Sequence, residues 1–269
     1  MKAIILAAGK GTRLGEYTRD LPKGMLQFMG KSLVERQVET YRRCGVSRII
    51  VVGGYRADRL DLPGTIPYVN EDYEITNMVE SLMCARGELE GDVLVSYGDV
   101  LFEDRVLRQI MSAAVEIGVT VDKAWRPYWE FRYGDPSRDT ESLGLGPDGR
   151  IVDIGRPDPP IEQIDGRYVG LLKFAARGVS TLKEVYDSAR AAHWGRPWRS
   201  SRSFQTGYMT DLLQEIIDRG HRVDPLLIEG GWLEFDTTED YEKTCRAAKT
   251  GELGQFFRLM DLPPGGQGG

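Results

Sequence analysis

Residues 6–14 read Leu6-Ala7-Ala8-Gly9-Lys10-Gly11-Thr12-Arg13-Leu14, and this stretch decides how the rest of the 269-residue chain is interpreted. Residues 3–8 form an apolar run that predicts a short strand buried on both faces. The two glycines that follow let backbone N–H groups turn toward a ligand without a Cβ in the way. The lysine and arginine of the stretch, with Lys23 further on, add three positive charges. This combination indicates a site for the polyphosphate of a nucleoside triphosphate.

Two commoner phosphate-binding motifs do not fit the spacing. The dinucleotide fingerprint requires G-x-G-x-x-G, but its third glycine position holds Leu14. The second predicted strand, residues 48–52, continues into Gly53-Gly54-Tyr55 without an acidic residue placed to hold a ribose. Gly30-Lys31-Ser32 imitates the end of a Walker A loop, but the glycine required five residues earlier is Met25. The loop is therefore neither a Rossmann nor a Walker phosphate site.

Composition narrows the class of protein. The net charge of −6 argues against nucleic acid or an anionic membrane as the main partner. The three cysteines show no C-x-x-C spacing and suggest buried thiols in a reducing compartment. No stretch approaches the roughly 20 apolar residues of a membrane span, and the N-terminal apolar run is too short for a signal peptide. We expect a cytoplasmic protein, and a homodimer remains open.

Strands and helices alternate along the first half of the chain, as in a parallel sheet with crossover helices. The predicted strands are residues 3–8, 48–52, 92–97, 119–122, 151–154, 167–174 and 233–235. The predicted helices are residues 32–44, 77–85, 103–117, 180–192 and 208–219, with a last helix capped by Thr237. The sequence thus predicts a Rossmann-like α/β fold whose mixed, mostly parallel sheet is flanked by helices. Residues 1–250 would form a single domain with a small, partly antiparallel lobe inserted at residues 123–165, and residues 251–269 a helix end and disordered tail.

Two aspartates follow predicted strands directly. Asp99 comes after residues 92–97 and a glycine, and Asp236 comes after residues 233–235. Ligands bind at the carboxyl ends of strands in α/β sheets, and Mg²⁺ prefers a few carboxylates together with phosphate oxygens and water. A helix N-cap is the alternative role for each aspartate. We favour Asp99 and Asp236 as metal ligands.

The paired motifs L-A-A-G-x-G-T-R-L and P-K-G-M-L (residues 22–26) resemble the signature of the nucleotidylyltransferases. Tyr97-Gly98-Asp99, the segment 231–241, Thr76-Asn77-Met78-x-x-Ser81-Leu82 and Tyr168-Val169-Gly170-Leu171 look like elements of one branch of that family. That branch contains the bacterial phosphocholine cytidylyltransferases and the phosphonate cytidylyltransferases. The resemblance implies a fold of the nucleotide-diphospho-sugar transferase type and Mg²⁺ bound by both aspartates.

The resemblance also implies roles for residues at the nucleotide. Arg13 would grip the β and γ phosphates and Lys23 would reach the α phosphate, and these two are the candidate catalytic residues. The candidate nucleotide-binding residues are Leu6, Ala7, Ala8, Gly9, Lys10, Gly11, Thr12, Asn77, Ser81, Tyr97 and Gly98.

The acceptor side is less specific in sequence. The candidate acceptor-binding residues are Lys123, Arg156, Tyr168, Gly170, Arg199 and Arg202. The aromatic run at residues 125–133 could form a cage for a quaternary ammonium group or, as we favour, pack the inserted lobe. The arginine-rich segment 196–203 suits an anion, although a solvated loop has the same composition. These features weakly favour a small phosphonate acceptor over phosphocholine.

The expected reaction is transfer of CMP from CTP to a small phosphonate or phosphocholine-like phosphomonoester, with release of pyrophosphate. The acceptor oxygen is already anionic, so no general base is required, and neither His193 nor His221 is arranged as one. A hexose-1-phosphate nucleotidylyltransferase and a non-catalytic nucleotide sensor of the same fold are the alternatives. The identity of the base cannot be read from the sequence.

Overall fold

A computed structural model describes residues 1–259 of the chain. The helices are α1 Leu33–Arg43, α2 Met78–Cys84, α3 Asp104–Ser112, α4 Trp125–Tyr133, α5 Ala176–His193, α6 Met209–Asp218 and α7 Thr238–Thr250. The strands are β1 Lys2–Ala7, β2 Gln27–Phe28, β3 Lys31–Ser32, β4 Arg48–Gly53, β5 Ile66–Val69, β6 Val93–Tyr97, β7 Val100–Phe102, β8 Ile117–Asp122, β9 Glu141–Leu145, β10 Ile151–Pro157, β11 Arg167–Phe174, β12 Asp224–Ile228 and β13 Trp232–Glu234. The prediction of a disordered tail falls mostly on residues 260–269. These residues lie outside the part of the chain that the structure describes.

Seven strands form one sheet in the order β12-β8-β11-β6-β1-β4-β5. All neighbours are parallel except β11, which runs antiparallel to both β6 and β8. The predicted α/β class with a mixed, mostly parallel sheet is confirmed. Alternate residues of β1 enter two different apolar clusters, so this strand is buried on both faces as its sequence predicted.

The position of β1 in the sheet locates the site. The chain leaves β1 for β4 on one side and later returns to β6 on the other side, so β1 adjoins a topological switch point. In open α/β sheets the crevice beyond the carboxyl ends of the strands at such a point binds the ligand. The glycine loop after β1 and the Gly98-Asp99 turn after β6 both lie at this edge.

One predicted helix is too long. The helix predicted at residues 103–117 ends at Ser112, because Ile117 begins β8 and its side chain is buried in the core. Gly118, the residue after that predicted helix, lies in the sheet, where a Cβ would approach Leu226 Cδ1 to 2.6 Å. The aromatic segment after β8 forms helix α4, and the strand predicted at residues 151–154 is part of β10, which pairs antiparallel with β9. Over residues 1–259 no helix is both long and apolar enough to cross a membrane.

Candidate active site

The glycine loop (residues 6–14) and the lysine segment (residues 22–26), the two halves of the N-terminal motif, pack against each other. The backbone N–H of Lys23 donates to the carbonyl of Gly9 at 3.1 Å, which fastens the lysine segment beneath the glycine loop. Gly24 is buried, and a Cβ there would lie 2.6 Å from Val34 Cγ2. Gly11 adopts the left-handed conformation at φ 69° that glycine accepts without strain. The close packing of loop and lysine explains why both halves of the motif contain glycine.

A small antiparallel sheet brings the two aspartates together. Strand β7 pairs with β13, with Val100 opposite Glu234. The backbone N–H of Phe235 donates to the carbonyl of Asp99 at 3.2 Å, which extends this pairing at one end by one residue on each strand. Because Asp99 precedes β7 and Asp236 follows β13, the two side chains arrive at the same point from distant parts of the chain.

Lys23 lies between these two carboxylates. Its Nζ donates to Asp236 Oδ1 at 2.7 Å and forms a short ion pair with Asp99 Oδ2. Burial opposes the charge of Lys23, but the carboxylates of Asp99 and Asp236 raise its pKa above its ordinary value. Burial would raise the pKa of Asp236, yet Lys23 and Arg132 together hold it below its ordinary value. Lys23 and Asp236 are therefore both charged at neutral pH.

Arg132 on α4 supports Asp236 from behind. Its side chain is fully buried, and it donates to Asp236 Oδ2 at 3.1 Å and to Glu234 Oε2 at 2.5 Å. It also binds Asp240 through both carboxylate oxygens, at 3.0 and 2.8 Å. Burial, followed by the charge of Asp236, raises the pKa of Glu234 to about 7. The arginine thus compensates three acidic residues and fixes the rotamer of Asp236.

Gln37 on α1 fixes the turn that carries Asp99. Its Nε2 donates to the carbonyls of Tyr97 at 2.7 Å and Val100 at 2.6 Å, and its Oε1 accepts from Ser96 Oγ at 2.7 Å. Tyr41 OH donates to the same serine at 3.0 Å. The buried amide therefore satisfies both ends of the turn between β6 and β7.

A cavity opens beside the glycine loop, and we call it the nucleotide cavity after the candidate residues that line it. It is lined by Leu6, Ala7, Ala8, Gly9, Lys23, Gly24, Tyr73, Thr76, Asn77, Met78, Ser81, Tyr97, Gly98 and Asp99. Eight of the eleven candidate nucleotide-binding residues line it, and Lys10, Gly11 and Thr12 lie outside the lining. The Lys10 ammonium instead faces the ring of Tyr55, 5.1 Å from its centroid. Sequence reasoning missed Tyr73, which lies in a loop with no motif.

A second cavity adjoins the first, and we call it the acceptor cavity. It is lined by Arg13, Lys23, Met78, Tyr97, Asp99, Asp139, Thr140, Glu141, Arg167, Tyr168, Val169, Gly170, Tyr208, Thr210, Glu234 and Asp236. Lys23, Met78, Tyr97 and Asp99 line both cavities, so the lysine and the aspartate lie at the boundary between them.

Arg13 lines the acceptor cavity and not the nucleotide cavity. It contacts Asp236 Oδ1 at 3.1 Å and Asp139 Oδ2 at 3.4 Å, and 57% of its side chain is exposed. Tyr168 OH donates to Tyr97 OH at 2.8 Å. Gly170, at φ 75°, leaves room for that ring, because a Cβ there would lie 2.6 Å from Tyr97 Cδ2.

The other four candidate acceptor residues lie outside the cavity lining. Lys123 binds the carbonyl of Asp165, and Arg156 pairs with Asp153 at 2.8 Å. Arg199 pairs with two acidic residues of α6, at 2.7 and 2.9 Å. Arg202 is exposed. The arginine-rich segment therefore faces α6 and solvent in this conformation.

The aromatic run at residues 125–133 contributes to the core. Trp125, Tyr128 and Trp129 are buried, and Tyr128 packs edge-to-face on Trp232 with centroids 5.3 Å apart. None of the run's rings lies in the acceptor-cavity lining. The arrangement is lobe packing and offers no cage for a quaternary ammonium group.

The acidic pair has the chemistry expected of a magnesium site. Asp99 Oδ1 is buried without a hydrogen-bond partner, so this oxygen has an unfilled position. No group of three or more acidic, histidine or cysteine side chains able to hold a metal occurs in the described part of the chain. Two carboxylates alone suit Mg²⁺, which takes its remaining ligands from phosphate and water.

Comparison with known proteins identifies relatives. Residues 3–139 match the family described as MobA-like NTP transferase domain. The chain is 31% identical over 256 residues to the CTP:phosphoglutamine cytidylyltransferase of Campylobacter jejuni, covering 90% of this chain and 98% of that protein. It is 30% identical to a choline-phosphate cytidylyltransferase of Streptococcus pneumoniae, covering 56% and 67%. The solved structure of a CTP:phosphocholine cytidylyltransferase from Streptococcus pneumoniae superposes with a TM-score of 0.70 at 23% identity, covering 92% and 98%, and shares the fold.

Proposed function

The chain belongs to the MobA-like NTP transferase family, and from this premise we propose that it transfers CMP from CTP to a small phosphonate or phosphomonoester. One observation carries the proposal: Lys23 and Asp99 line the nucleotide cavity and the acceptor cavity at once. A group that must move from one ligand to the other has to pass that boundary. Relatives that use CTP with phosphoglutamine or choline phosphate favour cytosine as the base and a small phosphorylated acceptor.

In the proposed reaction an acceptor phosphoryl oxygen attacks the α phosphorus of CTP in line. The new O–P bond forms as the bond from the α phosphorus to the bridging oxygen breaks, and the electron pair leaves with pyrophosphate. Because the attacking oxygen is an anion at neutral pH, no residue has to remove a proton. The chain's work is to position two anions and to offset their charge.

Lys23 is suited to the α phosphate, since its ammonium is buried at the boundary and held cationic by its two carboxylate neighbours. Arg13 is suited to the departing phosphates, because its exposed guanidinium can leave the carboxylates of Asp139 and Asp236 and turn to a polyphosphate. Asp99 and Asp236 would hold Mg²⁺. When bound, the ion would neutralise charge on the phosphoryl oxygens. Lys23 would then exchange its carboxylate contacts for phosphate.

The test is an NTP-by-acceptor matrix assayed for pyrophosphate release. The nucleoside triphosphates ATP, CTP, GTP, TTP and UTP are each combined with four acceptors: phosphocholine, a small aminophosphonate, phosphoglutamine and glucose 1-phosphate. We expect pyrophosphate from CTP with an acceptor of the first three kinds. Turnover only with glucose 1-phosphate would establish the hexose alternative instead. CTP binding by calorimetry without turnover on any acceptor would establish the nucleotide sensor.

Variants test the assigned residues. We expect Lys23→Met and Asp99→Asn each to lower kcat by about 100-fold or more, the effect typical of removing a preorganised electrostatic contact. Lys249→Met, at an exposed position of α7, is the matched control and should keep wild-type turnover. If Lys23→Met binds CTP and turns over like this control, the role given to Lys23 is wrong. A Mg²⁺ titration after EDTA treatment measures the metal requirement directly.

A further inference from the structure

Arg167, the first residue of β11, is a buried cation in the acceptor cavity whose side-chain donors have no acceptor among residues 1–259. Only 8% of the residue is exposed. Its Nε and Nη1 are buried and lack a hydrogen-bond partner. No ion pair joins it to a carboxylate anywhere in residues 1–259, although it lines the cavity together with Glu141 and Glu234. A buried charge without a partner is costly, which indicates that a ligand supplies the partner.

Arg132 provides an internal comparison. Both guanidinium groups contact the indole of Trp129, with Arg132 Cζ 4.5 Å and Arg167 Cζ 3.9 Å from the ring centroid. Arg132 forms ion pairs with three carboxylates, whereas the side chain of Arg167 contacts the ring without forming an ion pair in residues 1–259. The fold therefore compensates a buried arginine fully at one position and holds the other in place with its donors unused.

Glu141, the first residue of β9, is the complementary anion. It lines the same cavity, and its carboxylate has no hydrogen bond or ion pair within 4 Å among the side chains that the structure describes. Burial raises its pKa and the charge of Arg167 lowers it, so the two groups sense each other without touching. A guanidinium and a carboxylate that share a cavity but remain apart can each bind the opposite charge of one ligand.

The position of this pair separates it from the reacting groups. Lys23, Met78, Tyr97 and Asp99 line both cavities and mark where the acceptor's phosphoryl group would meet the nucleotide. Arg167 and Glu141 line only the acceptor cavity and, unlike Arg13, have no hydrogen bond or ion pair with Asp236 among the described contacts, so we place them at the part of the acceptor that does not react.

Given the proposed nucleotidyl transfer, we propose that the acceptor carries an α-amino acid head, whose carboxylate binds Arg167 and whose ammonium binds Glu141. A guanidinium matches a carboxylate through two parallel hydrogen bonds, and a carboxylate accepts from an ammonium. The acceptor is then a phosphorylated or phosphono amino acid, and a choline or hexose head would leave the Arg167 guanidinium without its partner.

Three matched phosphonates test this with CTP in the pyrophosphate assay. 2-Amino-4-phosphonobutyrate has both head charges, 3-aminopropylphosphonate lacks the carboxylate, and 4-phosphonobutyrate lacks the ammonium. We expect kcat/KM to fall at least about 30-fold when either charge is missing, the lower range for an unpaired buried charge. Phosphocholine as the best acceptor, or equal use of all three phosphonates, would overturn the inference while leaving the nucleotidyl transfer intact. No pyrophosphate from any acceptor class would instead defeat the proposed function.

Variants assign the two contacts. Arg167→Gln should lower kcat/KM for 2-amino-4-phosphonobutyrate at least about 30-fold and change that for 3-aminopropylphosphonate less than about threefold. Glu141→Gln should affect the two amines and spare 4-phosphonobutyrate. Arg177→Gln, on an exposed arginine of α5, is the control.

Calorimetric CTP binding and urea unfolding check that each variant is folded, since neither residue lines the nucleotide cavity. Equal losses with all three phosphonates for Arg167→Gln would show that this arginine binds the phosphoryl group or is structural. Equal losses of this kind would overturn the proposal that Arg167 binds the carboxylate of the acceptor.

Discussion

Replacement of Arg132 by methionine tests whether the buried cation behind Asp236 holds the acidic centre together. Methionine keeps an unbranched apolar side chain among Tyr128, Trp129 and Tyr133 but removes every contact to a carboxylate. Asp240, which is 1% exposed, then loses its partner at Oδ1 and keeps only the backbone N–H of Asp236 at Oδ2.

The magnitude follows from that burial. Breaking a buried ion pair by removing one partner costs about 3–5 kcal/mol, because the remaining charge is left uncompensated. For a chain of this size each kcal/mol lowers Tm by roughly 2–4 °C, so Arg132→Met should lower Tm by roughly 6–20 °C. Asp236 also loses the donor at Oδ2, so kcat should fall more than the affinity for CTP.

Urea unfolding at neutral pH measures the loss. Arg219→Met is the matched control, because Arg219 pairs with Glu215 at 2.9 Å on the surface of α6 and should cost less than about 0.5 kcal/mol. Combining Arg132→Met with Asp240→Asn should cost at least about 1 kcal/mol less than the sum of the single variants, since the uncompensated charge is gone. A loss similar to the control, or strictly additive single losses, would refute the reasoning.

Two further predictions concern Gly98, beside the glycine loop, and the ion pair between Arg48 and Glu88. Gly98→Ala would place a Cβ 2.9 Å from Ala7 Cβ, so we expect the KM for CTP to rise about tenfold or more, whereas Gly87→Ala, which meets nothing within 4 Å, should leave it unchanged. Hydrogen bonds from Arg48 hold the pKa of Glu88 below its ordinary value of 4.5, so the stabilisation is present above that pH and is lost as the pH falls through the lower, folded value. Glu88→Gln should therefore cost about 0.5–1 kcal/mol at pH 7 in urea unfolding, and the difference from wild type should shrink steadily below pH 4.5.

The nucleotide side of the site was readable because its determinants are local in sequence. A strand that is apolar on both faces, a glycine loop and Lys23 lie within 22 residues of one another, between Lys2 and Lys23. The shape of the glycine loop depends on backbone groups and on positions that lack a Cβ. Such positions can be identified from a sequence because they are occupied by glycine. Asp99 and Asp236 were selected by the same logic, since each lies just after a strand, and their role as metal ligands stays a prediction. The pairing of β7 with β13 that joins them connects residues about half the chain length apart and had no local signal.

The helix α4 shows why the acceptor side was not readable. Its five aromatic residues in nine left two interpretations open, a cage for a quaternary ammonium group and packing of the inserted lobe, because aromatic residues suit both. The rings pack as the second interpretation predicted: they bury against β13, and Arg132 extends from the same helix to Asp236. The local sequence around Arg132 does not predict its three carboxylate partners, because Glu234, Asp236 and Asp240 lie about 100 residues away in the chain.

The contrast between Arg132 and Arg167 separates structural from ligand-directed charge in this site. Both arginines contact the same indole, so the ring alone does not explain why one is paired and the other is not. If Trp129 served only to bury cations, Arg167 would be expected to draw Glu141 or Glu234 into an ion pair, as Arg132 does with Glu234 at 2.5 Å. Instead Arg167 remains fixed and unpaired in a cavity that already contains acidic side chains. Under the proposal of an amino acid acceptor, the carboxylate of the head group supplies the partner that Arg167 lacks among residues 1–259.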